Sequence, residues 1–103
     1  MHSFVYRLVE RLTSDGPRLS RNRHFHTFGT PEGKQALRIA RHLRSVARDI
    51  SASRRAPTLA ADDQRVRVEI AVQSGGIRTA WLDRDEWEIL RRMPSVRAAL
   101  GDE

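Results

Sequence analysis

The sequence predicts an α+β fold: two N-terminal helices, a β-hairpin that could widen to a three-stranded sheet, and a C-terminal helical segment. Three observations carry this expectation. Residues 30–53 repeat apolar side chains at helical spacing behind a strong start signal. Residues 65–73 alternate apolar and polar side chains, the period of a half-buried strand, and run into Ser74-Gly75-Gly76. Asp83 and Glu86 then stand at the spacing of a helix capping box. A chain of 103 residues has the size of one small domain. It is read as a single unit over 1–103, with a basic helical half at 1–55 and a hairpin–helix half at 64–101.

Residues 3–14 read as a short amphipathic helix capped by Ser3, with Val5, Leu8, Val9 and Leu12 on one stripe. The turn residues Ser14-Asp15-Gly16-Pro17 stop it. In the loop that follows, RHFHTF would as an extended segment set His24, His26 and Phe28 on one face and Phe25 on the other. That segment, residues 23–28, could join the sheet as an edge strand. The second helix has Thr30 as its N-cap, Pro31 in the first helical position and Glu32 at the positive end of the dipole. Its apolar stripe is Ala36, Leu37, Ala40, Leu43, Val46, Ala47 and Ile50, and it should end near Ser51 to Ser53. Residues 53–64 read as a connector centred on Pro57.

The hairpin has two candidate registers. A two-residue Gly75-Gly76 loop, with both glycines able to take positive φ, pairs Ile70 with Trp81 and turns Trp81 onto the apolar face. A three-residue loop pairs Val72 with Arg78 and puts Arg78 there instead. The first is expected, because burying an unpaired arginine is costly. The second helix would then pack Leu37, Leu43, Val46 and Ile50 against Val68, Ile70 and Trp81. The last helix starts at Asp83 and turns Trp87, Leu90 and either Ile89 or Met93 inward. Pro94-Ser95 breaks it and caps a final short helix, Val96 to Leu100, which Gly101 ends.

Charge is the functional signal. Residues 17–55 hold ten basic side chains against Glu32 and Asp49, a local +8 in a chain whose total is +6. A field so concentrated attracts polyanions. All the bases but Lys34 are arginine, whose planar fork suits phosphate and carboxylate. Arg18, Arg21 and Arg23 run into Phe25 and Phe28 in the loop, and Lys34, Arg38, Arg41, Arg44 and Arg48 line the outer side of the second helix. Arginines neutralise phosphates and exposed aromatics stack on bases. The candidate site is therefore Arg18, Arg21, Arg23, Phe25, Lys34, Arg38, Arg41, Arg44 and Arg48. Its expected ligand is RNA or DNA, bound non-specifically through phosphates. The alternative is an adaptor or regulatory subunit whose basic face docks an acidic partner protein.

Other chemistries find less support. His24 and His26 would share one side of a strand, but no carboxylate sits beside them and the chain has no cysteine, so no metal site is expected. The carboxylates at Asp83, Asp85, Glu86 and Glu88 serve a helix start. Neither a nucleophile elbow nor a phosphate-cradling loop occurs, so no catalytic residue, enzyme activity or cofactor is expected. No apolar run approaches the roughly 20 residues that cross a bilayer, and MHSFVYRLVERL lacks the apolar core of a secretory signal. A cytoplasmic, bacterial protein is expected, with no membrane partner. The oligomeric state is not legible.

Overall fold

The computed structural model describes residues 4–13 and 29–101. Helix α1 (Phe4–Thr13) and helix α2 (Pro31–Ala52) precede strands β1 (Thr58–Ala61), β2 (Arg65–Ala71) and β3 (Ile77–Asp83). Helices α3 (Arg84–Arg92) and α4 (Pro94–Leu100) close the chain. The strands form an antiparallel meander in the order β1-β2-β3. This is the expected α+β fold, with the sheet widened to three strands.

α2 begins as its sequence requires. The Thr30 hydroxyl accepts the Gly33 N–H at 3.0 Å, with Pro31 next to the cap, and the helix stops at Ser53. Gly33, Ala36, Ala40, Leu43, Val46, Ala47 and Ile50 are buried. Leu37, expected on that stripe, is only half-buried. α1 contributes Leu8, Val9 and Leu12, and its buried Thr13 hydroxyl donates to the Val9 carbonyl at 2.8 Å.

The third strand comes from the stretch read as a connector. Thr58–Ala61 pairs along β2, and the turn after it is held by Asp62, whose Oδ1 accepts the N–H groups of Gln64 and Arg65 at 2.9 and 2.6 Å. All four β1 residues are exposed, which is why its sequence shows no core-facing alternation. Residues 23–28, proposed for this edge, lie outside the described residues.

The register of β2 and β3 differs from both expectations. Ile70 faces Arg78, Val68 faces Ala80 and Val66 faces Leu82. The Gly75 N–H donates to the Val72 carbonyl at 3.0 Å, and the Val72 N–H to the Gly76 carbonyl at 2.9 Å. Of the two glycines only Gly75 has positive φ, at 97°. This is a turn closed by a glycine bulge, one of the common ways to join twisted strands. The shift puts Val66, Val68, Ile70, Ala80 and Leu82 on the buried face. Trp81 stands on the opposite, open face, 51% exposed.

α3 carries the expected capping box: Asp83 Oδ1 accepts the Glu86 N–H at 2.7 Å, and Glu86 Oε1 accepts the Asp83 N–H at 2.9 Å. Ile89, Leu90 and Met93 are buried and Trp87 half-buried. Pro94 opens α4 rather than preceding it, and Met93 is its cap, without a side-chain hydrogen bond. Gly101 ends it at φ 81°. The buried residues of all four helices and of β2 and β3 form one core cluster.

Candidate nucleic-acid interface

The basic side of α2 follows from helix geometry. At 3.6 residues per turn, Lys34, Arg38, Arg41, Arg44 and Arg48 fall within an arc of roughly 120°, away from the apolar stripe. All five are exposed. Arg18, Arg21, Arg23 and Phe25 lie outside the described residues, so the structure brings together the helical part of the predicted site only.

Where the acids go decides what this stripe can do. Asp49, the one carboxylate in the body of α2, pairs with Arg78 of β3. Glu10 of α1 pairs with Arg92 at 3.0 Å, and Glu88 with Arg91 at 3.0 Å. Glu69 stands 3.8 Å from Arg67. Among the described residues, none of Lys34, Arg38, Arg41, Arg44 and Arg48 has a carboxylate within salt-bridge distance. Among the described residues Arg44 alone of the five has an internal hydrogen-bond partner, donating to the Leu12 carbonyl in the last turn of α1, a group with no acceptor role inside its own helix.

The stripe continues into a surface groove. One depression is lined by Thr13, Arg44, Arg48, Ser51 and Ser95. A second, sharing Ser51 and Ser95, is lined by Arg54, Arg55 and Ala98. Arg54 and Arg55 were counted in the sequence as part of the basic stretch but not as site residues. Their place in this groove depends on α4 packing beside the end of α2, which no local pattern shows.

A second group of cations was missed outright. On the open face of the sheet, the Arg65 and Arg67 guanidiniums lie 5.0 and 5.9 Å from the centroid of the Trp81 ring. Strand alternation already turned both arginines outward; the unexpected register brought Trp81 to them. Glu69 stays within salt-bridge distance of Arg67, while the carboxylates at the Arg65 end of the sheet hold other groups as well. Asp83 accepts the Tyr6 hydroxyl at 2.5 Å. Asp62 is held below the usual carboxylate range by the backbone N–H groups of Arg65 and Gln64. Half-burial pushes Glu86 up, against the Asp83 N–H that it accepts.

Among the described residues no group of three or more acidic or histidine side chains is placed to hold a metal ion, and the His24/His26 pair lies outside them. No described helix is long and apolar enough to cross a membrane. In comparisons with known proteins, no family model, curated protein or solved structure matches this chain.

Proposed function

We propose that this chain is a small non-enzymatic binding module of the bacterial cytoplasm that contacts nucleic-acid phosphates through Lys34, Arg38, Arg41, Arg44 and Arg48. Arg54 and Arg55 extend the contact along the groove. The observation that supports this reading is a single one: five exposed cations on one side of α2, with the helix's own Asp49 bound to Arg78. Exposed guanidiniums with open donors are suited to phosphate oxygens, which they engage in pairs. Contacts of this kind fix position on the polymer rather than reading its sequence.

Binding to a random-sequence duplex and to a random RNA should weaken steeply with salt, log Kd changing by about 0.9 per phosphate contact for each decade on a duplex. Replacing Arg38, Arg41 and Arg48 together by glutamine should lower that slope by about 2 to 3. Absence of binding at low salt, or an unchanged slope in the triple variant, overturns the reading. Nuclease-resistant co-purification with one acidic protein, abolished by the same triple variant, would favour an adaptor in its place.

A further inference from the structure

The open face of the sheet offers something that the helical stripe lacks, an aromatic surface. We infer that Trp81 stacks on an unpaired base of single-stranded nucleic acid, with Arg65 and Arg67 taking the flanking phosphates. The inference rests on the nucleic-acid reading above and names the strand form that the protein would favour.

Exposure comes first. Trp81 is 51% exposed on a regular strand, and Ile77, which points to the same face, is 69% exposed. A flat indole on an open sheet is a surface on which a base can lie. The surroundings are low: Ala60 flanks Arg67 on the β1 side, and Thr79 precedes Trp81 on its own face. A planar ligand therefore meets no tall side chain beside the ring from those two positions.

Charge points to an anion. Stacking against the indole orients both guanidiniums without using their N–H donors. Among the described residues the Arg65 side chain donates to no protein acceptor, and Arg67 faces only Glu69, whose 3.8 Å separation is beyond hydrogen-bond length. Asp83, across the ladder from Arg65, is occupied by the Tyr6 hydroxyl and by the cap of α3. Both guanidiniums lie over the indole ring itself, so an incoming base takes the place of one of them, and the displaced arginine, still beside the ring, meets the adjoining phosphate. In a duplex the faces of the bases are stacked on one another, so only an unpaired base can use this surface.

The test compares a fluorescently labelled twelve-nucleotide oligothymidylate with a duplex of equal length, at one low salt concentration. Trp81→Ala should weaken single-strand binding roughly 5- to 150-fold, the range of base–aromatic stacking, and leave duplex binding within twofold. Trp81→Phe should restore most of the loss, and circular dichroism should show both variants folded. Single-strand binding unaffected by Trp81→Ala, while the Arg38/Arg41/Arg48 variant loses both ligands, overturns this inference and leaves the phosphate reading intact. Binding of neither probe by the unaltered protein overturns both.

Discussion

The Arg78 guanidinium pairs with the Asp49 carboxylate, joining the edge strand β3 to the last turn of the protein's longest helix. Arg78 also reaches the Ser45 hydroxyl at 3.4 Å. This contact accounts for two features at once. It allows an arginine opposite Ile70 on the core side of the hairpin, because Arg78 is neither buried nor unpaired. It also takes from α2 the acid that would otherwise lie beside Arg48.

A double-mutant cycle on this pair should show modest coupling. The two side chains are 47% and 24% exposed, so solvent screens them. Arg78→Ala and Asp49→Asn should each lower stability by about 0.5–1 kcal/mol, with a coupling below about 1 kcal/mol that shrinks in high salt. Urea denaturation of the four proteins measures it. Additive effects at low salt would show that the register is held by the apolar face alone.

The hairpin turn should separate its two glycines. At Gly75, with φ 97°, an added Cβ meets nothing within 4 Å, so the penalty is purely conformational. Gly75→Ala should cost about 1 kcal/mol or slightly more. At Gly76 a Cβ would make an ordinary 3.7 Å contact with Val72, and φ is not positive. Gly76→Ala should therefore lie within about 0.5 kcal/mol of the parent. Equal effects in thermal melts would contradict the bulged turn.

Tyr6, the chain's single tyrosine, reports on the seam between α1 and the start of α3. Burial, then the hydrogen bond to Asp83 and the nearby carboxylates, push its phenol well above the ordinary value. A group raised in the folded state gives stability that is fully present below the unfolded value, about pH 10, and is lost above it. Tyrosinate absorbance should thus appear late and together with unfolding, and Tyr6→Phe should flatten the alkaline limb of stability. A normal tyrosine titration in folded protein would refute the contact. Half-burial also raises Glu86 above the ordinary carboxylate value. The folded state holds that proton more tightly, so stability falls as pH climbs through the shifted range, and Glu86→Gln should remove this slope while keeping an acceptor for the cap.

Local chemistry was readable wherever neighbours in sequence are neighbours in space. Thr30-Pro31 starts α2, Asp83 and Glu86 cap α3, and alternation from Val66 to Ile70 marks the buried face of β2. β1 was not legible because it contributes backbone pairing and buries no side chain. The hairpin register was misjudged because turn length was weighed against the burial of Arg78 without its partner, and Asp49 stands 29 positions away. That single shift hid the Trp81 cluster.

The sequence by itself determined the class of fold, the helix caps and the concentration of positive charge, since each follows from propensity and spacing along a few turns of chain. Only the tertiary structure decided which arginines keep their donors open and which face of the sheet carries the indole. Ion pairs such as Arg78–Asp49 and the choice of strand register are set by packing between distant segments, and no local pattern of residues encodes that balance.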